Sequence, residues 1–448
     1  MMSIPGLTGH SPSRWHHVVD VMLEKKPNDR RVHRLRIIAL QESDFNQSNR
    51  LLIGRPVQHR LEDHGLLPDT QHGSRSAKQC HSAVLNKVLT FEIHRYKKQL
   101  LAFIENDAVG CFDRIANPLV LIFLHILGVN ALTLASLAKT WESSIHRIRT
   151  AYGISTYHCA NEPGFPLFGP GQGSTIGPFL WLLCFLLISL SLSATAPKIT
   201  IRCPENNMIV NYVGEAFVDD TGLGTNETDS FHHDEDETVS HDSNYSSSPG
   251  RDKIPNVITN LKRLAQEWER LLFSTGGALN LEKCFWFLLA WRWDKGIAKL
   301  HTSTTAPGIL SMTSELSPEQ TEIKRIAPTE SYRTLGVHLA PNGSNKGAIS
   351  ILKEAALVYC SRITSSRLTR KEALVSYIQY LLPKLRYQPP LLTLSKRDCD
   401  KLMSPVLMAL LPKLHLNRHT SRTIIHGPEE LGGLALPHLF TLQGIDKL

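Results

Sequence analysis

The chain has 448 residues, is 42% hydrophobic and carries a net charge of +8, with a pI near 9.0. That length can bury a sizeable core spread over two to four domains or subdomains. Its eight scattered cysteines include no C-x-x-C pair, which argues against a disulfide framework or a zinc site and reads as reduced intracellular thiols, in nucleus or cytoplasm. The charge is uneven. Thr225–Gly250 holds seven acidic residues and no Lys or Arg, and taking those seven negative charges from +8 leaves +15 on the rest. A basic body favours a polyanionic partner such as nucleic acid, although charge alone fits a generic basic protein equally well.

In chain order, residues 14–65 mix short apolar runs with Lys25, Lys26, Arg30, Arg31, Arg34 and Arg36, and Leu35–Leu40 has the composition of a strand. Residues 77–99 carry Val84, Leu85, Val88, Leu89 and Ile93 at helical spacing. Leu100–Ile104 is a short apolar run of buried-strand length, followed at once by Glu105-Asn106-Asp107. Residues 118–148 read as helical. A Gly/Pro-rich turn, Pro163–Gly173, leads into the strongly apolar Phe179–Leu192. Pro178 and Pro197 bracket 18 residues there. A spanning helix wants about 20, so a buried core helix is the preferred reading and no membrane partner is expected.

Val210–Val218 reads as a strand ending at Asp219-Asp220. The acidic, Ser-rich tract after it lacks the apolar content to fold and reads as a disordered linker, its three histidines solvated rather than metal-bound. Order resumes with one apolar helical stripe over Ile254–Phe273 and an aromatic, strand-like Phe285–Trp293. The last hundred residues are helical and punctuated by prolines. The class is α+β.

Four acidic positions carry the chemistry. Asp107 and Asp113 belong to DAVGCFD, directly after a buried run, and Asp219 and Asp220 belong to FVDD at the end of a second strand. An ionised carboxylate does not belong at the edge of an apolar strand unless something offsets its desolvation, and a divalent cation does so. Two such ions about 4 Å apart clamp the attacking and leaving oxygens of an in-line phosphoryl displacement. Taken alone, the Asp pair is more often a polar turn.

The ordered set resembles reverse transcriptases, especially those of non-LTR retroelements. Asp107–Phe112 is similar to the family's Asp followed five residues on by an aromatic. Gly169–Pro178 (GPGQGSTIGP) resembles its Gln-Gly turn, Phe217–Asp220 its aromatic-x-Asp-Asp, and Gly276–Cys284 (GGALNLEKC) its Gly-rich turn with Leu-Asn and Lys. Leu335-Gly336 resembles its late hairpin and Arg36-Ile37-Ile38 its basic fingers segment.

The resemblance implies a right-hand polymerase. Fingers would occupy 1–106, and a palm of antiparallel sheet backed by helices 107–224 and 254–345, interrupted by the insert 225–253. A helical thumb would occupy 346–448. It implies a nucleotidyltransferase, an RNA-directed DNA polymerase that adds dNTPs to a primer on an RNA template. Two Mg²⁺ ions, or Mn²⁺, would be held by Asp107, Asp219 and Asp220. Lys283 would protonate the leaving pyrophosphate, Arg36 would hold the triphosphate, and Gln172 and Gly173 would shape the nucleotide pocket. Phe112 would clash with a 2′-hydroxyl. Each has a plainer reading: Phe112 as a core aromatic, Lys283 as a solvated turn residue, GPGQG as a turn. Two rival functions stay open, a decayed or domesticated copy that binds nucleic acid without catalysis, and an RNA-making polymerase.

Overall fold

The computed structural model describes residues 3–164, 166–203, 205–227 and 253–447. Most of the acidic tract therefore lies outside the described residues. The protein is of mixed α and β structure and divides into two units. The first comprises Met1–Ala83, Leu100–Phe287 and Thr304–Arg325, and the second Val84–Gln99, Leu288–Ser303 and Ile326–Leu448.

Two sheets organise the first unit. In one, β1 (His17–Glu24) pairs antiparallel with β2 (Leu35–Leu40), and the chain returns through β3 (Leu101–Asn106) before β4 (Ile145–Thr150) joins β1 in parallel. β4 occupies the end of the stretch read as helix. Only Asn117–Ile126 and Ala131–Glu142 are helical there, and the chain turns extended at Ile145, where His-Arg-Ile-Arg alternation fits a half-exposed strand.

The second sheet has the order β8-β7-β3-β6-β5, with β5 Gly214–Phe217, β6 Asp220–Asn226, β7 Phe285–Leu289 and β8 Lys324–Arg325. All six residues of β3 are buried, and its first four, Leu101–Ile104, show an unbroken apolar run rather than alternation before the buried polar Glu105 and Asn106. Two expected long strands are each broken in two. Val210–Val218 splits at Val213 into Ile209–Tyr212 and β5, and Phe285–Trp293 splits at Ala290 into β7 and Trp291–Asp294.

Helices Gly177–Thr195 and Ile254–Ser274 back this sheet. The second presents Ile258, Leu261, Leu264, Ala265, Trp268 and Leu272 inward at helical spacing. The first is the one described helix long and apolar enough to cross a membrane, and Phe179–Leu186 are buried in protein without a break. The two helices meet edge to face through Phe185 and Trp268, ring centroids 5.8 Å apart, and Phe103 of β3 stacks on Phe287 at 5.6 Å.

In the second unit, Lys346–Ser365 and Lys396–Lys413 pack through Leu352, Ala356, Tyr359, Leu402, Val406 and Leu410. A capping box, Thr369 with Glu372, starts the helix at Arg370. π-helical turns at Arg50–Gly54 and Tyr377–Leu381 each lie just ahead of a proline, Pro56 and Pro383. A proline ring collides with the carbonyl four residues back, and the wider π turn relieves that collision.

Replacing Leu264, fully buried under the sheet, with Ala should cost about 2–5 kcal/mol in chemical denaturation, whereas Arg263→Ala on the exposed face should change stability by less than about 0.5 kcal/mol.

Candidate active site at the β3–β6 strand ends

Asp107 follows the last residue of β3, and Asp219 sits at the tip of the hairpin joining β5 to β6. β3 and β6 are antiparallel with Asn106 opposite Thr221, and Phe217 faces Asp220 across the two-residue turn Val218-Asp219. One further step along each strand brings Asp107 and the turn to the same end of the sheet. The two carboxylates feel one another: the charge on Asp107 helps raise the pKa of Asp219.

Burial is the larger cause of that rise. The Asp219 side chain reaches solvent, but the floor beneath it is dense with protein atoms, and the open side limits how far the pKa climbs. The backbone N–H groups of Asp219 and Asp220 donate to the carboxylate, and with the Arg36 charge they pull the pKa back. Asp220, at the start of β6, therefore supports Asp219 through its backbone.

The Gly-rich segment reaches the site by backbone pairing. Ala108 and Leu279 form an antiparallel bridge, Val109 N donates to Ala278 O at 2.8 Å, and Asn280 N donates to Asp107 O at 2.9 Å. Buried Glu269 accepts from Leu279 N at 3.0 Å and pins the segment from the helix side. The following turn carries Lys283, whose Nζ donates to Asp107 Oδ2 at 2.8 Å. This ion pair is well exposed and adds at most about 1 kcal/mol of stability. Its consequence is positional, an ammonium held against one of the two carboxylates.

Asp113 has a role that its sequence position did not reveal. Half-buried in the turn Cys111–Asp113, its two oxygens accept from Gln172 N at 3.1 Å and Gln172 Nε2 at 3.2 Å. Burial pushes its pKa up, the Gln172 bonds oppose that, and the Lys25 charge lowers it further. The Gln172 amide is thus spoken for within the protein, and Gln172 O accepts from Ala39 N of β2 at 2.7 Å. Gly173 is required where it stands: at φ +133° a Cβ would lie 2.3 Å from Ala39 O. Phe112 is half-buried beside the start of helix Gly177–Thr195, its ring 3.7 Å from where a Cβ on Gly177 would be. Arg36 is exposed on β2, opposite Leu23, and Lys26 is exposed in the turn after β1.

The structure thus gathers Asp107, Asp219 and Lys283 at one strand-end corner, with Asp220 adjoining through its backbone N–H and Arg36 near enough for its charge to act on Asp219. Gln172 and Gly173 share the neighbouring turn packed on β2 and on the turn Cys111–Asp113 that carries Phe112. Among the described residues, no three His, Cys, Asp or Glu side chains converge as a group that could hold a metal ion. Two residues that sequence reading passed over grip the hairpin tip: Gln71 and Trp181 both bond the backbone of Val218. A single buried Gln leaves no periodic mark, and Trp181 was lost inside an all-apolar helix.

No protein-family profile matches the chain, and no curated protein matches its sequence. Among solved structures, apo telomerase from Candida tropicalis overlaps it with a TM-score of 0.39 and 12% identity, covering 98% of this chain and 64% of that one. Telomerase from Candida albicans in complex with a TWJ fragment of telomeric RNA overlaps with a TM-score of 0.33 and 11% identity, covering 89% and 61%. The chain spans about three fifths of the length of those telomerase chains. Overlaps this partial leave the site to be read from its own residues.

A carboxyl with a raised pKa is penalised when ionised, so the folded protein should lose stability as pH rises from the ordinary aspartate range through the raised value. Asp219→Asn removes that loss. In thermal melts without divalent ions, the variant should gain on the parent as pH rises above the ordinary aspartate range, and a gap independent of pH would contradict the assigned burial.

Proposed function

We propose that the chain is an RNA-directed DNA polymerase, adding dNTPs to a primer 3′-hydroxyl on an RNA template. The observation that carries the reading is the convergence of Asp107 and Asp219 at adjacent strand ends, close enough for the Asp107 charge to raise the cost of ionising Asp219. A divalent cation relieves that cost, and Mg²⁺ characteristically takes one or two carboxylates plus substrate phosphate oxygens rather than a full protein cage. Two carboxylates without a third protein ligand fit that habit. Asp107 and Asp219 would hold the ions, and Asp220 would keep the Asp219 carboxylate oriented. The ions supply charge stabilisation to the phosphoryl transfer and lower the pKa of the attacking hydroxyl.

The chain's own residues account for the rest. Lys283, already against Asp107, stands where it can pass a proton to the leaving pyrophosphate. Arg36 presents a guanidinium to the triphosphate, a partner whose oxygens suit its fork of donors. Asp113 fixes Gln172, and through it the turn whose surface the nucleotide would meet. Phe112 lies below that turn as a wall against a ribose 2′-hydroxyl, which distinguishes this reading from an RNA-making polymerase. The basic charge outside the acidic tract suits a template–primer partner.

Primer extension on an RNA template with dNTPs and Mg²⁺ tests the proposal. Asp219→Asn should lower incorporation by about three orders of magnitude, the loss of several kcal/mol of charge stabilisation, and undiminished incorporation would sink the mechanism. Template binding without extension by the parent chain would favour a non-catalytic nucleic-acid binder. Phe112→Ala should raise the use of rNTPs relative to dNTPs by about tenfold or more, and an unchanged ratio would remove the gate. Template affinity should fall steeply on a log–log plot against salt.

A further inference from the structure

The turn that carries Asp219 is built on an unfavourable residue. Val218 has φ +58°, a left-handed conformation that glycine adopts freely and a β-branched residue adopts only under strain. Such a conformation persists only when its surroundings over-determine it. Here they do. The segment Thr70–His72 lies alongside β5, with Ala216 N donating to Thr70 O at 2.8 Å and His72 N donating to Ala216 O at 2.9 Å.

That added edge delivers Gln71, which is wholly buried, to the turn. Val218 N donates to Gln71 Oε1 at 3.0 Å and Gln71 Nε2 donates to Val218 O at 3.3 Å. Gly73 N completes the Oε1 acceptor at 2.8 Å. From the other side, the buried Trp181 indole donates to Val218 O at 2.6 Å. Gly73 closes the seat: a Cβ there would lie 2.4 Å from Val218 N.

We propose that Gln71 is a positioning residue for Asp219: its amide, bonded to both backbone polar groups of Val218, holds the hairpin tip in the strained conformation that aims the carboxylate at the reacting corner. Gln71 touches no substrate. It acts through one peptide unit on the residue whose carboxylate the polymerase reading places at the metal ions, and the inference rests on that reading. A turn free to relax would carry Asp219 away from Asp107, and the loss would fall on the chemical step rather than on nucleotide binding.

The decisive variant is Gln71→Met, which keeps the volume and removes the amide's bonds to Val218 N, Val218 O and Gly73 N. Gly73→Ala serves as a second variant, pressing on Val218 from the same side while leaving the Gln71 side chain itself unchanged. Two readouts are taken on the full chain. Hydrogen exchange over Phe217–Asp219 should quicken at least about tenfold in Gln71→Met, with the helix Ile254–Ser274 unchanged. Primer extension should show kcat lowered about 10–100-fold and KM for dNTP within about threefold, because a misaligned carboxylate weakens the transition state and leaves nucleotide binding intact. Val218→Gly, which adopts the turn without strain, should recover part of the kcat lost in Gln71→Met. Unchanged exchange at the turn overturns the clamp whatever the activity. Quickened exchange with kcat intact overturns the positioning role, as does a loss confined to KM. An inactive parent chain is a failure of the polymerase reading instead, and the exchange result still decides whether Gln71 holds the turn.

Discussion

Backbone pairing between β3 and β6 is the constraint on which the rest of the site depends. Once Asn106 is opposite Thr221, the residues beyond both have nowhere to go but the same corner of the sheet. Both are aspartates, and their mutual repulsion in a partly desolvated place works against folding. A fold that retains such a pair spends stability on it, and the spending makes physical sense where a cation and a polyanion arrive to neutralise it.

Everything around the corner is arranged to keep it from relaxing. The Gly-rich segment is stitched to the loop after β3 by backbone bonds from Val109 and Asn280, and Glu269 pins it from behind. Asp113 fixes the Gln172 turn, which in turn rests on β2 through Ala39. Gln71 and Trp181 hold the hairpin tip. These supports come from segments scattered over more than two hundred positions of the chain, and each acts on backbone or on a carboxylate rather than by simple apolar packing. The charged groups, Arg36 and Lys283, hang from this frame on exposed surfaces, where a long side chain is free to meet a ligand.

Much of the frame was legible without coordinates because burial leaves a pattern. The stripe on Ile254–Ser274, the unbroken apolar run of β3 and the apolar helix from Gly177 all follow from side-chain spacing or hydrophobicity, which are local properties. The misreadings share a cause. Ile145–Thr150 continued a helical-looking stretch, and only its partnership with β1 makes it a strand. Val213 and Ala290 interrupt runs whose composition is uniformly strand-like, because the two halves pair with different neighbours. Contacts distant in sequence also group Val84–Gln99 and Leu288–Ser303 with the C-terminal portion, which no local pattern announces.

The sequence by itself determined which residue types stand at the ends of apolar segments: Asp107 after a buried run, Asp219-Asp220 after another, a Lys after a Gly-rich turn, and a Gln between glycines. Those are statements about neighbours along the chain, where hydrophobicity and turn chemistry act. It took the folded chain to set Asp113 against Gln172 instead of at the corner, to bring Lys283 to Asp107, and to carry Gln71 to Val218 across 147 positions of chain. Hydrogen bonds between distant backbone and side-chain groups carry no local signature, since any polar residue can make one and only the folded geometry selects which does.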